Sequence, residues 1–149
     1  MKAALSHFVA VGTSLGLTLV SAVAGAAAIP GATFQAAQGG NAGCLNRHSY
    51  GGIRNDCSYS VEVVNSIVVP DGWRQTSVNI YGNNSWCQSV GTGGNANSSS
   101  TPGPIVWTLA GPDAWNTLNT GDRPVSWNTP LVFTCMLESG GIIGSAIAH

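Results

Sequence analysis

The sequence predicts an all-β fold, an antiparallel β-sandwich or jelly-roll-like domain that follows a cleaved signal peptide. Beyond the N-terminal segment, apolar residues recur in short runs that alternate with polar residues, which is the period of a half-buried strand. These runs are separated by turn residues, and the chain has 20 glycines and 7 prolines in 149 residues. No stretch beyond the N-terminal segment shows the 3.6-residue period of an amphipathic helix. Together these patterns predict roughly seven to nine strands.

The N-terminal segment has the features of a signal peptide. Lys2 is the only charged residue before Arg47, and residues 8–24 form an uncharged apolar run. Residues 24–26 (AGA) and 26–28 (AAA) both fit the small-x-small pattern that signal peptidase recognises. An uncleaved membrane anchor is the alternative, because ~20 apolar residues can span a bilayer, but no cationic flank follows the run. We predict cleavage between residues 24 and 28.

The composition of the predicted mature chain limits its location and partners. Residues 27–149 are expected to form one domain in a secreted or periplasmic location, with no membrane contact once residues 1–26 are removed. This part has four arginines, six carboxylates and no lysine, a formal charge of −2. A chain without a basic stripe is not expected to bind nucleic acid.

The cysteine pattern predicts two disulfide bonds. An even number of cysteines behind a signal peptide indicates a disulfide framework, and four cysteines allow three connectivities. We favour Cys44–Cys57, which closes a short loop, and Cys87–Cys135, which joins two strands distant in sequence. Zinc is a weak alternative, because no pair has CxxC spacing and His48 is the only internal histidine of the mature chain. We expect no metal and no cofactor.

The first half of the mature chain predicts one loop region, one strand and one hairpin. Residues 29–43 read as a loose lead-in with at most one short strand, and residues 45–56 as a loop or irregular hairpin. Residues 58–69 alternate as a strand, with Asn65 and Ser66 predicting a bulge or a bend between sheets. Residues 76–81 and 85–90 flank a Gly-Asn-Asn turn and predict a β-hairpin.

The second half predicts an exposed loop over residues 91–104 and then strands at its end. Residues 105–110 alternate, residues 111–124 are rich in turn residues, and residues 125–127 read as a short strand. Residues 131–138 predict a strand with Leu131, Phe133, Cys135 and Leu137 on one face, and residues 142–148 a closing strand that pairs with an edge. Trp86, Trp107 and Trp127 lie within alternating runs and are expected in the core.

Three segments, YGGIRN at residues 50–55, VNIYGNNSWC at 78–87 and LVFTCMLESGGIIG at 131–144, give the chain a partial resemblance to known proteins. In these segments it resembles a loose group of small secreted bacterial β-sandwich proteins, mostly uncharacterised. Their pattern is a GGI-x-N segment, a strand ending in cysteine and a late x-C-x-L strand before glycine-rich turns. The resemblance spans residues 50–144 and implies a secreted bacterial β-sandwich. It implies no activity.

Two similar tetrapeptides, PDGW at residues 70–73 and PDAW at residues 112–115, are the candidate functional elements. Pro-Asp-x is ordinary turn chemistry, so each tryptophan could simply begin the next strand and pack over the end of the sandwich. The alternative is sugar binding, in which an exposed indole stacks on a pyranose ring while nearby polar groups bind its hydroxyls. The candidate ligand-binding residues are Asp71, Trp73, Gln75, Asp113, Trp115 and Asn116. Exposure of both indoles at one end of the fold would indicate a carbohydrate-binding module, whereas full burial of both would remove this hypothesis.

The sequence gives little support for catalysis. His48 lies in a glycine-rich loop, and no nucleophile motif such as GxSxG accompanies it. Asp71 and Asp113 are a nominal carboxylate pair for glycoside hydrolysis, without further support. We therefore predict a non-catalytic secreted protein, a binding module for extracellular ligands such as carbohydrate. The alternative is a structural or interaction protein of the cell envelope or surface, whose partner is another surface protein.

Overall fold

A computed structural model of the protein describes residues 26–92, 100–109, 113–126 and 129–149. These residues form twelve β-strands, all paired antiparallel, and two short 3-10 turns. The strands are β1 (Ala27–Pro30), β2 (Gln35–Ala36), β3 (Leu45–Arg47), β4 (Ile53–Asn55), β5 (Val61–Val68), β6 (Gly72–Tyr81), β7 (Trp86–Thr92), β8 (Ser100–Pro102), β9 (Val106–Trp107), β10 (Trp115–Val125), β11 (Pro130–Leu137) and β12 (Ile142–Ala148).

The strands form two six-stranded sheets. The first sheet has the order β10-β6-β12-β4-β3, and β1 pairs with the half of β12 that β4 leaves uncovered. The second sheet has the order β2-β5-β11-β7-β8, and β9 pairs with the start of β7. The predicted all-β sandwich is therefore confirmed.

The core lies between the two sheets and follows the period-two pattern of the sequence. Along β11, buried and half-buried residues alternate from Leu131 to Leu137, as predicted. Along β6, Thr76, Val78 and Ile80 are buried, and the residues between them face outward. The fully buried apolar residues of the two sheets are Val61, Val63, Val78, Ile80, Leu131, Phe133, Leu137, Ile143 and Ala146. Alternation fixes the inner face because a slip of one residue would expose every one of these side chains.

The predicted hairpin of residues 76–90 is wrong. β6 pairs with β10 and β12 in the first sheet, whereas β7 pairs with β11, β8 and β9 in the second. The turn between them, in which Gly82 and Asn84 have positive φ, therefore carries the chain from one sheet to the other. Behind this corner, the hydroxyls of Thr76 and Ser89 form a hydrogen bond of 2.8 Å between the sheets. A local turn signal shows that the chain reverses, but not whether the returning strand pairs with its predecessor or crosses the sandwich.

The prediction of turns over residues 111–124 is also wrong for the described part of this segment. Residues 115–125 form β10, an edge strand of the first sheet that pairs with β6 along its whole length. A bulge between Asn119 and Gly121 accommodates the glycine at φ 85°. Pro124 is tolerated because an edge strand has one side whose N–H groups need no partner strand.

Two further strand predictions need correction. Asn65 and Ser66 make no bulge, because β5 pairs with β11 in unbroken register from Val61 to Val68. Residues 142–148 form a strand as predicted, but β12 lies in the middle of the first sheet, between β6 and the β4 and β1 strands.

Both predicted disulfides, Cys44–Cys57 and Cys87–Cys135, are present. The first closes the base of the β3–β4 hairpin. The second joins β7 and β11, which are neighbours in the second sheet, at positions that are direct register partners. Two disulfides are typical of proteins in an oxidising extracellular or periplasmic environment.

The predicted burial of the strand tryptophans is wrong where the structure describes it. Trp86 is half-buried and Trp107 is 57% exposed, and the two rings pack together on the outer face of the second sheet with centroids 6.3 Å apart. The inner face of β7 belongs to Cys87 and Ser89 instead. Trp127, the loop at 93–99 and the predicted signal peptide up to residue 25 lie outside the described residues. In the part of the chain that the structure describes, no helix is long and apolar enough to cross a membrane.

Candidate functional site

The two candidate tryptophans are exposed, but they lie at opposite ends of the first sheet. Trp73 pairs with Pro124 near the start of β6, and Trp115 pairs with Tyr81 at its end. The eight-residue separation between positions 73 and 81 corresponds to about 26 Å of strand. The indoles are 71% and 52% exposed. The hypothesis that both copies form one site at one end of the fold is therefore wrong.

The PDGW end is a turn held by an arginine. The Arg74 guanidinium donates to the carbonyl oxygen of Pro70 at 2.8 and 3.0 Å and to that of Asp71 at 3.0 Å. Trp73 and Gln75 are exposed on the outer face of β6, and neither lines the clefts described below. The turn interpretation thus accounts for this copy. The nominal carboxylate pair does not form either, because Asp71 precedes β6 at this end and Asp113 precedes β10 at the other.

The PDAW end contributes to a row of side chains that crosses the outer face of the first sheet. The register pairs Trp115 of β10 with Tyr81 of β6, Tyr81 with Ile142 of β12, and Ile142 with Arg54 of β4. Side chains at paired positions of neighbouring strands lie next to one another on the same face. Residues from four strands that are far apart in sequence are thereby assembled side by side.

Gly144 on β12, which has no side chain, leaves room for the Trp115 indole. A Cβ built at Gly144 would lie 2.9 and 3.0 Å from two carbons of the six-membered ring of Trp115. The indole therefore rests directly on the backbone of β12, where a register shift separates Ile143 from Ser145. The Tyr81 and Trp115 rings have centroids 5.7 Å apart and planes tilted by 59°. The two rings therefore meet at an angle and are not stacked face to face. Together they form one wall of a cleft.

The β3–β4 hairpin forms the facing wall. Its turn is closed by hydrogen bonds of 2.8 Å from the His48 N–H to the Gly52 oxygen and of 3.0 Å from the Gly51 N–H to the His48 oxygen. Gly51 has φ 78°, which glycine adopts without strain. The His48 and Tyr50 rings lie 5.2 Å apart at the tip, with Tyr50 81% exposed.

Arg54, on the second strand of this hairpin, is held by two neighbours. Its Nε lies 2.9 Å from Oδ1 of Asp56, and Oδ2 of Asp56 accepts a 2.6 Å hydrogen bond from the Asn46 side-chain amide. These contacts fix one edge of the guanidinium, so its orientation is set before any ligand arrives. The Cys44–Cys57 disulfide closes the base of the same hairpin.

Between the two walls lies a cleft of about 410 Å³. This volume falls within the roughly 300–1,000 Å³ range of small-molecule sites. It combines aromatic faces with a few polar groups, the usual composition of such sites. The described residues that line it are His48, Tyr50, Arg54, Tyr81, Asp113, Trp115, Gly140 and Ile142.

Only two of the six predicted ligand-binding residues line this cleft. Trp115 and Asp113 do. Asn116 does not line the cleft, because successive residues of a strand point to opposite faces of the sheet. Its side-chain amide donates instead to the Ala114 oxygen at 3.0 Å. Asp71, Trp73 and Gln75 belong to the other end of the sheet.

Of the remaining lining residues, the sequence analysis considers only His48, for zinc binding or catalysis, and misses the others. Tyr50 and Arg54 occur in the YGGIRN segment and Tyr81 in VNIYGNNSWC, two of the three segments singled out in the sequence. Alternation also placed Tyr81 on the outer face of its strand, opposite the core residues Val78 and Ile80. Their proximity could not be read from the sequence, because it depends on which strands are neighbours.

A second cleft, of about 540 Å³, lies between the β2 segment and the β3–β4 hairpin. Small side chains and backbone form most of its lining, and Arg47 is its one charged member among the described residues. Nowhere in the described ranges do three His, Cys, Asp or Glu side chains gather as metal ligands would. The aromatic cleft therefore has the stronger chemistry for binding.

The fold and the cleft define an all-β sandwich with a concave aromatic site on the outer face of one sheet. The chain matches no protein-family model and no curated protein.

Proposed function

We propose that the protein is a secreted, non-catalytic β-sandwich module that binds carbohydrate in the aromatic cleft, meaning the cleft lined by Trp115, Tyr81, Tyr50, His48, Arg54 and Asp113. The observation that carries the proposal is that aromatic residues from both sides line a cleft of about 410 Å³, together with Arg54 and Asp113. A sugar presents C–H faces that pack on such rings and hydroxyls that bind charged side chains. A location outside the cytoplasm is supported by the apolar N-terminal segment and the two disulfides.

The openness of the cleft also supports binding of a chain end or a short stretch of polysaccharide. Trp115 and Tyr50, on opposite walls, remain 52% and 81% exposed, so a ligand can gain burial against both. Rigid aromatic side chains are effective anchors because they lose little conformational entropy on binding.

A glycan array followed by titration calorimetry tests the proposal. Trp115→Ala should weaken binding of the best array glycan by about 5- to 30-fold, the usual effect of removing a dominant aromatic anchor. Trp73→Ala is the matched control, because it removes another exposed indole, from the opposite end of the same strand pair, and should leave the affinity unchanged. Equal affinity of the wild type and both variants would contradict the proposal.

An envelope or surface interaction role is the second candidate, and a separate surface favours it. On the second sheet, Trp107 is 57% exposed and packs on Trp86, and its neighbours Ile105 and Leu109 are 50% and 80% exposed. Contiguous exposed apolar side chains often mark contacts with another protein. If this role is the true one, Trp107→Ser should release the protein from the cell-envelope fraction, whereas Trp115→Ala should not.

A further inference from the structure

We infer that the sugar recognised by the aromatic cleft carries a positively charged nitrogen, which binds between the Trp115 and Tyr81 rings and the Asp113 carboxylate. This inference rests on the proposed carbohydrate function and specifies the class of sugar.

The charges that line the cleft do not cancel. The positive charge of Arg54 is compensated by Asp56 at 2.9 Å, which is the one ion pair among the described residues. Asp113 is exposed and lines the cleft, yet no cation of the described chain pairs with it. With histidine counted as neutral, the cleft and the Arg54–Asp56 pair together have an excess of one negative charge, that of Asp113.

The aromatic geometry favours a cation at the same place. The faces of tryptophan and tyrosine rings carry negative potential and attract ammonium groups within about 6 Å of the ring centre. Tyr81 and Trp115, with centroids 5.7 Å apart and planes tilted by 59°, present faces to a shared corner. Asp113 stands two residues before Trp115, and both residues line the cleft.

Other ligand charges fit less well. An anionic sugar would approach a carboxylate that has no partner, on a chain whose residues 27–149 have a formal charge of −2. A neutral sugar would use the rings but leave the charge of Asp113 without a counterpart. A sugar with a protonated or quaternary amine uses both features, and its hydroxyls can still reach Arg54.

Three hexasaccharides with the same β-1,4-linked backbone provide the test. They are a hexamer of N,N,N-trimethylglucosamine, which is cationic at every pH, a hexamer of N-acetylglucosamine and a hexamer of glucose. Calorimetry at neutral pH and low salt should show the cationic hexamer binding roughly tenfold more tightly than the other two. Asp113→Asn should abolish this preference, so that the cationic hexamer binds no more tightly than the acetylated hexamer does.

Asp122→Asn is the control for non-specific attraction. Asp122 is an exposed carboxylate on β10, the strand that follows Asp113, and lies near the other end of that strand, where Gln75 is its register partner. Its removal should leave the preference intact. A cationic preference that Asp122→Asn reduces as much as Asp113→Asn does would overturn the inference, because the attraction would then be one of overall charge.

The remaining outcomes separate this inference from the proposed function. Equal binding of all three hexamers, lost in Trp115→Ala but not in Asp113→Asn, would overturn the cationic class and leave carbohydrate binding standing. Failure of all three to bind would overturn the cationic class. If the glycan array were also blank, it would overturn carbohydrate binding as well.

Discussion

Gly144 shows how one absent side chain can position a binding residue. The Trp115 indole lies too close to β12 for a Cβ at position 144, so the glycine is required by contact and not by backbone conformation. A ring seated on backbone cannot collapse into the cleft, and its exposed face stays available to a ligand.

Gly144→Ala should therefore weaken ligand binding more than it weakens the fold. The new methyl group displaces the indole, and we expect about a fivefold loss of affinity for the glycan that binds the wild type. The free energy of unfolding should fall by only about 1 kcal/mol, because the displaced ring faces solvent. Calorimetry and urea denaturation measure the two effects. Gly40→Ala, at a position with open space around it, is the control and should change neither.

Asn55 is a polar residue of the core whose side chain makes three hydrogen bonds. It is fully buried, and its side-chain amide donates to the carbonyl oxygens of Tyr59 at 2.8 Å and Leu137 at 2.9 Å. Its side-chain oxygen accepts a 2.9 Å hydrogen bond from the Cys57 N–H. One side chain thereby ties the chain leaving β4 to the end of β11 in the opposite sheet.

Asn55→Ala should lower the free energy of unfolding by about 3 kcal/mol, because it removes the side-chain partners of the Leu137 oxygen and the Cys57 N–H in buried surroundings. Asn116→Ala removes a local bond of a partly exposed side chain and should cost under about 0.5 kcal/mol. Chemical denaturation of both variants measures the difference. Equal stability of the two would show that the Asn55 bonds do not hold the sheets together.

Among the elements, the β3–β4 hairpin links stability to recognition. It presents His48 and Tyr50 at its tip and Arg54 on its second strand, and the Cys44–Cys57 disulfide closes its base. The other disulfide lies inside the second sheet, with both cysteines fully buried. The two bridges therefore stabilise different parts of the molecule.

Removing each bridge by double alanine substitution should separate these roles. On the chain-entropy model, loss of Cys44–Cys57 costs about 3 kcal/mol and loss of Cys87–Cys135 about 4 kcal/mol. We expect the variant without Cys44–Cys57 to lose more ligand affinity, because one wall of the cleft is loosened. The variant without Cys87–Cys135 should melt earlier but bind normally when folded. Calorimetry well below both melting temperatures makes the comparison, and the reverse order of affinities would contradict it.

The elements also show where sequence reasoning succeeds and where it stops. β11 was predictable because its four inward residues alternate without interruption and a proline stands at its start. The β6–β7 corner was not, because a tight turn looks the same whether the next strand pairs or crosses. β10 is not predictable from the sequence, because Gly121 and Pro124 resemble turn residues. A strand can contain both only because β10 lies at the edge of the sheet.

For the molecule as a whole, the fold class followed from the sequence but the site did not. Alternation and turn residues are local, so they predict strands and their inner faces. The cleft joins β3–β4, β6, β10 and β12, and this set of neighbours is decided by topology. Trp115 and Asp113, two of the predicted ligand-binding residues, line the cleft, whereas Trp73, from a similar tetrapeptide, lies near the start of β6 at the other end of the sheet.

Export of the whole molecule gives a prediction of its own. Cleavage after residue 26 would leave β1 complete, since its pairing with β12 begins at Ala27. We expect protein recovered from the periplasm or culture medium to begin near residue 27 and to have all four cysteines oxidised. Intact-mass spectrometry with and without reduction and alkylation measures both. A full-length product with four free thiols would contradict export.

The two bridges join cysteines that are consecutive along the chain, 44 with 57 and 87 with 135. A polypeptide threaded across a membrane amino terminus first presents each thiol to an oxidant in that order. If each pair of cysteines is oxidised as soon as its second member emerges, Cys44 joins Cys57 and Cys87 joins Cys135. Of the three possible connectivities, this order gives the native one directly. The protein should consequently mature with an oxidase alone and have no need of an isomerase to correct scrambled bonds.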